Sequence, residues 1–263
     1  MSAAAGDPPA PSRLLHLPET DSTNAEAMRR ALAGEPGPLW VLADRQTAGR
    51  GRSGRTWASE PGNLFASLTI STRCAPAAAG QLSLVAGVAV IDALHKAAAG
   101  GRPEGLRLKW PNDILVGTAK TGGVLIESTV LKPGGARLAV IGVGLNLASA
   151  PDALGRAATF LSAHGLSLSP ARALCFLAEA MDDWLKTWND ARGFAKVREA
   201  WLKRAGPIGE PLTVRTNGGL VSGRFAGLDA EGALLIAGPD GSERRFTYGD
   251  VALAAEQEKD EGR

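Results

Sequence analysis

Apolar positions recur at helical spacing in three segments of the chain. In the first segment, Thr23 and Glu26 have the spacing of a capping box, in which the Thr23 hydroxyl accepts from the Glu26 amide. Gly34 is placed to end that helix. The other two predicted helices cover residues 81–99 and the amphipathic stretch 169–188, which a Ser-Pro pair opens.

Short apolar runs between turn residues predict strands in the rest of the chain. Up to about residue 205, these runs lie at residues 39–43, 64–70, 106–110, 113–116, 122–130 and 138–147. From Pro211 to Leu253, similar runs alternate with glycine-rich turns, a pattern that predicts a small all-β module. We therefore predict an α+β domain at 13–205 and a small barrel at 206–255, with a disordered leader at 1–12 and a frayed tail at 256–263.

Composition restricts the class of protein. The 263 residues are 44% hydrophobic and carry a formal net charge of +2, values that favour a globular protein and give no sign of a nucleic-acid partner. No run of about 18 uninterrupted apolar residues occurs, so no membrane span is expected. Cys74 and Cys175 show neither metal-ligand spacing nor a disulfide framework, which favours a cytoplasmic location.

Residues 46–62 form a glycine- and arginine-rich segment that is too irregular for a helix or a strand. Within it, Gly49, Gly51 and Gly54 satisfy the G-x-G-x-x-G pattern of dinucleotide-binding proteins. That function needs a helix that begins at the third glycine, and the following residues, TWASEPG, fit none. Three interpretations remain: a loop whose amides and guanidiniums cradle an anion, a basic loop that is only solvated, or a contact with nucleic acid.

Three further polar groups stand beside apolar segments. The sequence KWPND at 109–113 presents Asn112 and Asp113 at a strand end, either as ligand-binding groups or as ordinary turn residues. Lys120 precedes two glycines and an apolar strand, where it is either a ligand-binding cation or a solvated side chain. Asn146 interrupts an apolar run, and a buried amide there needs partners from the fold or from a ligand.

Several well-known catalytic motifs are absent from the sequence. It contains no Walker A motif, no H-E-x-x-H and no G-x-S-x-G. The histidines, His16, His95 and His164, lie outside every cluster described above. The sequence therefore disfavours histidine-based catalysis.

In order and spacing, these segments resemble the biotin–protein ligases. The resemblance rests on TDSTN at 20–24, QTAGRGRSGRTW at 46–57, KWPND at 109–113, Lys120, GVGLN at 142–146 and SGRFAGLD at 222–229. It covers nearly the whole chain from about residue 13. It implies an α+β fold with a central mixed sheet and helices on one face, as in class II aminoacyl-tRNA synthetases and biotin ligases, followed by an SH3-like barrel.

The resemblance implies a reaction in two halves. The biotin carboxylate attacks the α-phosphate of ATP, with Mg2+ as counter-ion, and biotinyl-5′-AMP and pyrophosphate form. A lysine of a biotin carboxyl carrier protein, such as that of acetyl-CoA carboxylase, then takes up the biotin and releases AMP. The expected protein is a monomer or homodimer that binds neither membrane nor nucleic acid. Only about 19 residues precede Thr20, too few for a helix-turn-helix domain, so no repressor role is expected.

The resemblance also implies roles by position. Lys120, Asp113 and Arg52 are expected to act in catalysis, with Lys120 contacting both the biotin carboxylate and the phosphate. The expected biotin-binding residues are Ser22, Thr23, Asn24, Gln46, Arg50, Gly51, Arg52, Lys120 and Gly123. The expected ATP-binding residues are Arg52, Arg55, Trp57, Asn112, Lys120 and Asn146. No dedicated protein site for a metal ion is expected.

Three alternatives are open at this point. The nearest is a lipoate or octanoate ligase or transferase of the same superfamily, whose acyl pocket would not need so many groups for a ureido ring. A second is a nucleic-acid-binding protein that uses the basic loop and the barrel, although the barrel offers few aromatic residues for base stacking. A third is a non-catalytic biotin sensor, against which Lys120 and the arginines argue.

Overall fold

A computed structural model describes residues 8–11, 13–99, 101, 103–130, 135–151, 157–216 and 218–253 of the chain. Most of the predicted leader and all of the predicted tail, 256–263, lie outside these residues. The described part is α+β, as predicted, with one sheet of seven strands and a second sheet of five.

The first sheet is mixed. Its strands are β1 Leu14–Thr20, β2 Leu39–Gln46, β3 Leu64–Thr72, β4 Leu106–Lys109, β5 Asp113–Val116, β6 Ala119–Val130 and β7 Arg137–Leu145. They lie in the order β1-β2-β3-β7-β6-β5-β4. Strand β1 runs parallel to β2, whereas the other neighbours are antiparallel.

Three of the four α-helices of the described residues pack on one face of this sheet. The α-helices are α1 Thr23–Leu32, α2 Gln81–Ala97, α3 Pro170–Trp188 and α4 Phe194–Leu202, and short 3-10 helices lie at Arg52–Gly54, Pro76–Gly80 and Leu161–His164. Side chains alternate between the two faces of a sheet. Trp40 and Leu42 of β2, and Ile141 of β7, share the main core with α2, α3 and α4.

Helix α2 is apolar on nearly all sides, which is typical of a helix buried in a core. The segment Pro76–Ala97 is long and apolar enough to cross a membrane, but 72% of the 18-residue window is buried inside the fold. Contacts with both α3 and the sheet account for that burial. The segment is therefore explained as a core helix.

Helix α1 lies on the opposite face. Its Ala27 packs with Leu39, Val41 and Val140, which alternate along β2 and β7 with the residues of the main core. The expectation of helices on one face is therefore right for α2 to α4 and wrong for α1. Since α1 contacts β2, β3 and β7, the same face of β5 and β6 is left for the cleft described below.

The second sheet is antiparallel and comes from the C-terminal segment. Its strands are β8 Pro211–Thr216, β9 Gly219–Leu228, β10 Leu234–Ala237, β11 Glu243–Phe246 and β12 Asp250–Leu253, in the order β11-β10-β9-β8-β12. Among the described residues, the two end strands do not pair with each other. The expected barrel is therefore not closed by hydrogen bonds, because each short end strand is bonded along one edge alone.

The second sheet packs on the first part of the chain through aromatic side chains. The Trp110 indole donates to Gly232 O at 3.1 Å. The rings of Trp201 on α4 and Phe225 on β9 meet edge to face with centroids 6.4 Å apart. Both sheets contribute to one continuous apolar core.

Some local predictions differ from the structure. Ser22, and not Thr23, caps α1 by accepting from the Ala25 N–H, so the Thr23 hydroxyl is left for other partners. Asn146 follows the end of β7 and does not interrupt the strand. Strand β1 and helix α4 were not predicted.

Candidate active site

A cleft of about 410 Å³ opens on the sheet face that α1 partly covers. Every residue that the sequence predicted for the site lines it: Ser22, Thr23, Asn24, Gln46, Arg50, Gly51, Arg52, Arg55, Trp57, Asn112, Asp113, Lys120, Gly123 and Asn146. They come from the start of α1, the end of β2 and the loop after it, and the strands β5 and β6 with their neighbours. The fold thus brings separate sequence clusters into one site.

Strand β7 forms part of the cleft floor, where two glycines take the place of larger residues. A Cβ at Gly142 would lie 2.2 Å from Asn24 Oδ1, and a Cβ at Gly144 would lie 2.7 Å from the Trp57 ring. Neither position has room for a side chain. The glycines therefore allow Asn24 and Trp57 to lie directly on the sheet.

One end of the cleft is a network of buried polar groups. The Thr23 backbone N–H donates to Gln46 Oε1 at 2.8 Å. The Ser67 hydroxyl lies 2.8 Å from Thr23 Oγ1 and 2.6 Å from Asn24 Oδ1. Asn24 Nδ2 donates to Glu127 Oε2 at 2.8 Å. Because buried polar groups require partners, this network holds each side chain in one orientation.

The other end of the cleft is built around Asp113, which is almost fully buried between two lysines. Lys120 Nζ donates to Asp113 Oδ1, and Lys109 Nζ lies 3.5 Å from Asp113 Oδ2. Burial raises the pKa of Asp113, but the charges of Lys120 and Lys109 outweigh burial and hold that pKa below its usual value. The carboxylate is therefore ionised at neutral pH, and with both lysines protonated the three groups carry one net positive charge.

The Trp57 side chain forms the wall of the cleft next to the Lys120 ammonium group. Lys120 Nζ lies 5.4 Å from the centroid of the indole ring, within the range of a cation–π contact. Within the described part of the chain, the buried Trp57 Nε1 has no hydrogen-bond partner. This nitrogen lies next to β7, where a Cβ at Gly144 would be 2.9 Å from it.

A loop of residues 49–57, which we call the arginine flap, borders the cleft. Gly51 N–H donates to Arg55 O at 2.7 Å and Trp57 N–H to Gly49 O at 2.9 Å, so the flap folds back on itself. Its only regular element is the three-residue 3-10 turn at Arg52–Gly54. As predicted, no α-helix begins at Gly54, which confirms that the glycine pattern is not a dinucleotide fingerprint.

The three arginines of the flap are each held by oxygen atoms from other segments. The partners are Glu127 for Arg50, Asn112 and the Gly249 carbonyl for Arg52, and Asp250 for Arg55. The Arg55 and Asp250 side chains are 39% and 41% exposed. Half-exposed ion pairs are weak, so breaking them costs little free energy. An anionic ligand can therefore bind these guanidiniums in place of their present partners.

Two of the three predicted asparagines, Asn112 and Asn146, use their amide nitrogens to hold the backbone. Asn112 Nδ2 donates to Val124 O at 2.7 Å, and Asn146 Nδ2 donates to Thr159 O at 3.1 Å. Each amide therefore has a fixed orientation. Each side chain serves the fold and also lines the cleft, and a role in ligand binding stays a prediction.

Sequence reasoning missed three polar residues that hold the side chains of the site, namely Ser67, Glu127 and Asp250. Ser67 and Glu127 each follow a short apolar run within their strands, at 64–66 and 124–126, much as Asn146 follows the apolar run of β7. Asp250 carries no such signal, and it lies 195 positions from the arginine that it binds. Only the folded chain brings it to the flap.

The two ends of the cleft differ in charge. One end is cationic, around Lys120, Arg52 and Arg55. The other end, around Asn24, is hydrogen-bonding and neutral overall, because the Glu127 carboxylate there pairs with Arg50. Among the described residues, no group of three or more His, Cys, Asp or Glu is placed to hold a metal ion. The arrangement suits a ligand with a neutral polar head and an anionic tail, bound beside a phosphate-bearing molecule.

Comparison with known proteins agrees with this geometry. Residues 17–146 match the family described as the biotin/lipoate A/B protein ligase family, and residues 208–253 match the biotin protein ligase C-terminal domain. The chain is 43% identical over 233 residues to a biotin–[acetyl-CoA-carboxylase] ligase of Paracoccus denitrificans, covering 86% of this chain and 95% of the relative. It is 33% identical over 248 residues to the bifunctional ligase/repressor BirA of Bacillus spizizenii, covering 91% and 74%.

Solved structures of biotin protein ligases are also similar to this chain. The biotin protein ligase from Aquifex aeolicus in complex with biotin and ATP is similar with a TM-score of 0.76 and 25% identity, over 92% of this chain and 100% of that one. The biotin protein ligase from Leishmania major in complex with biotinyl-5-AMP is similar with a TM-score of 0.61 and 27% identity, over 90% and 100%.

Proposed function

The chain belongs to the biotin/lipoate A/B protein ligase family, and from that premise we propose how its cleft joins a carboxylic acid to a protein lysine. It is a biotin–protein ligase. Biotin and ATP form biotinyl-5′-AMP and pyrophosphate, and the biotin then passes to a lysine of an acceptor protein. The residue roles below are our proposal.

The observation that carries this proposal is the position of Lys120. Its ammonium group lies in the cleft, fixed by the buried Asp113 and by the face of Trp57. A carboxylate and a triphosphate repel each other, and charge builds up on the phosphate oxygens as they react. A preorganised cation between them offsets this repulsion and stabilises the transition state.

Asp113 acts in this proposal as a positioning residue for Lys120. Its two oxygens face Lys120 and Lys109, and its side chain is only 9% exposed. A carboxylate whose two oxygens are already paired with ammonium groups is a poor ligand for a metal ion. We therefore do not assign to it a role in metal binding.

We assign the neutral end of the cleft to the biotin ring. A ureido group offers two N–H donors and one carbonyl acceptor, and the network of Thr23, Asn24 and Gln46 supplies groups of both kinds. Ser22 and Gly123 complete this end. Such a site favours biotin over lipoate or octanoate, which bring no ureido donors, because buried polar groups would then be left unpaired.

We assign the cationic end to ATP and to the reacting groups. Arg52 and Arg55 bind phosphate oxygens in place of Asp250, and Trp57 offers a stacking surface to the nucleotide. Asn112 and Asn146 line the same region. When the flap closes, Arg50, Gly51 and Arg52 cover biotin and the adenylate and exclude water.

Mg2+ enters this proposal with the nucleotide. Mg2+ keeps several waters and is usually bound by substrate phosphates with one or two carboxylates. The acidic residues nearest the cationic end, Asp113 and Asp250, are both paired with cations. The donor set therefore fits a counter-ion of the triphosphate better than a resident metal ion.

The acceptor we propose is a lysine of a biotin carboxyl carrier protein. The relative from Paracoccus denitrificans is named for acetyl-CoA carboxylase, which supports that class of partner. For the C-terminal segment, we keep an SH3-like domain at 206–255 after a catalytic domain at 13–205, supported by the match over 208–253. A cytoplasmic location and the choice between monomer and homodimer stay predictions.

The function is tested by biotin-dependent exchange of labelled pyrophosphate into ATP, followed by transfer of biotin to a purified carrier domain. We expect exchange with biotin and none with lipoate or octanoate. Exchange driven by lipoate or octanoate in place of biotin would move the assignment to the lipoate branch of the family. No exchange with any of the three acids would contradict enzymatic function.

A further inference from the structure

Glu127 is the one carboxylate that contacts both the polar network and the flap, within the described part of the site. It lies on β6 on the cleft side, in line with Gly123 and Leu125, because alternate residues of a strand share a face. Its Oε2 accepts from Asn24 Nδ2 at 2.8 Å. Its Oε1 lies 3.2 Å from Arg50 Nη2.

The contact with Glu127 decides which way the Asn24 amide points. The amide nitrogen faces two acceptors, Glu127 Oε2 and the Leu125 carbonyl, the latter at 3.3 Å. An ionised carboxylate accepts hydrogen bonds and cannot donate one. If the amide were reversed, Asn24 Oδ1 would face two other oxygens without a hydrogen between them. Asn24 Oδ1 is therefore directed to the opposite side.

The orientation of the Asn24 amide sets the direction of the neighbouring hydrogen bonds of Ser67 and Thr23. Ser67 has one hydroxyl proton and lies 2.6 Å from Asn24 Oδ1 and 2.8 Å from Thr23 Oγ1. The amide oxygen can only accept, so the Ser67 proton goes to it. The single Thr23 hydroxyl proton is then shared between Ser67 Oγ and Gln46 Oε1, which lies 3.1 Å from Thr23 Oγ1. The remaining lone pairs of Asn24 Oδ1 and Thr23 Oγ1 are then acceptors for a ligand.

We propose that Glu127 is a positioning residue that sets the hydrogen-bond polarity of the biotin subsite and links that subsite to the flap through Arg50. The inference rests on the proposed function of the cleft. Because Asn24 and Thr23 are held as acceptors, the site selects a ring that brings N–H donors. A bare acyl chain satisfies neither of them.

The test is a reciprocal exchange of donor and acceptor. Asn24→Asp alone places two carboxylates against each other, and we expect biotin to bind roughly a hundredfold more weakly. Adding Glu127→Gln supplies an amide donor to the carboxylate introduced at position 24 and restores the acceptor that faces the ligand. We expect the double variant to bind biotin at least about tenfold more tightly than Asn24→Asp alone.

Isothermal titration with biotin in the absence of ATP measures these affinities. Glu127→Leu, which removes the acceptor, should weaken biotin binding roughly tenfold to a hundredfold and raise the KM for biotin, with little change in the KM for ATP. Glu179→Gln is the matched control, since this exposed carboxylate pairs with Lys96 outside the cleft. We expect the control to match the wild type.

Two results would overturn the inference. One is additive loss in the Asn24→Asp/Glu127→Gln pair, as for a residue that is only structural. The other is that Arg50→Met weakens biotin binding as much as Glu127→Leu does, and that the double variant Arg50→Met/Glu127→Leu binds biotin no more weakly than either single variant. A wild-type protein that neither binds biotin nor exchanges pyrophosphate would instead contradict the proposed function itself.

Discussion

At the scale of single residues, the chemistry depends on a buried group of three charges. Asp113 lies between Lys109 and Lys120, with its carboxylate within reach of both ammonium groups. Two like charges buried without the carboxylate would destabilise the fold, because desolvated charges need partners. The group is thus stable in the fold and still presents one net positive charge to the cleft.

Lys120→Ala should raise the barrier to adenylate formation by about 2–4 kcal/mol, which corresponds to roughly a 30- to 900-fold lower turnover. The loss arises in the transition state, where phosphate charge increases, so it should persist at saturating biotin and ATP. Pyrophosphate exchange at saturation measures it. Lys203→Ala is the control, because this exposed lysine pairs with Glu199 on α4. Equal turnover in the Lys120 variant and the wild type would remove Lys120 from the mechanism.

Asp113→Asn should lower the free energy of unfolding at neutral pH by about 3–5 kcal/mol, because both lysines lose their counter-charge. The folded-state pKa of Asp113 lies below the unfolded value of about 4. The stabilisation is therefore complete above that value and is lost as the pH falls through the lower folded value.

Urea unfolding at a series of pH values measures this effect. The difference in the free energy of unfolding between the wild type and Asp113→Asn should stay constant from about pH 7 to pH 5 and become smaller below about pH 4. Glu104→Gln, at an exposed position, serves as a control. A gap that does not narrow in acid would show that the carboxylate charge is not the cause.

At the scale of elements, the arginine flap is joined to a strand of the second sheet. Asp250 at the start of β12 accepts from Arg55, and Tyr248 lies under Arg52 with 5.6 Å between the guanidinium carbon and the ring centroid. These contacts occupy the guanidiniums that we assign to phosphate. They hold the flap next to the cleft.

Asp250→Asn should leave global stability within about 1 kcal/mol of the wild type, because the pair is half exposed. Its effect should be local: faster amide hydrogen exchange in residues 49–57, since the flap loses one tether. Mass spectrometry of peptides from the flap measures the exchange. Glu243→Gln, at an exposed position of the same sheet, is the matched control. Unchanged exchange in the Asp250 variant would show that this ion pair does not hold the flap.

At the scale of the whole molecule, the two sheets share one apolar core. Trp201 is 2% exposed and packs against Phe225 of the second sheet, and Arg198 donates to the Leu228 carbonyl at 2.8 Å. A shared core of this kind favours unfolding as a single unit. The sequence division at residue 205 therefore lies between two sheets that we expect to unfold together.

Calorimetry should show one unfolding transition, and Trp201→Ala should lower the free energy of unfolding by about 3–5 kcal/mol without splitting that transition. The reason is that the lost ring supports both sheets at their contact. Leu220→Ala, at an exposed position of the second sheet, should change stability little. Two separate transitions in the wild type would contradict the shared core.

The elements that sequence reasoning found and missed differ in the strength of their local signals. Helices α2 and α3 have long apolar patterns, and Ser169 with Pro170 marks the start of α3. Helix α4 has nine residues and no side-chain cap, so its pattern is short and unmarked. Strand β1 contains Pro18 and pairs with β2 along one edge, where proline is tolerated but hides a strand pattern.

The sequence alone predicted which residues line the cleft and which class of reaction the protein carries out, because the motifs that carry both are local and ordered. Only the tertiary structure decided that Glu127 faces Asn24, that Asp250 holds Arg55, and that α1 lies across the sheet from the other helices. These contacts join residues about 100 to 195 positions apart or depend on which face of a strand meets which helix. Register and packing set them, and no local pattern of residues records either one.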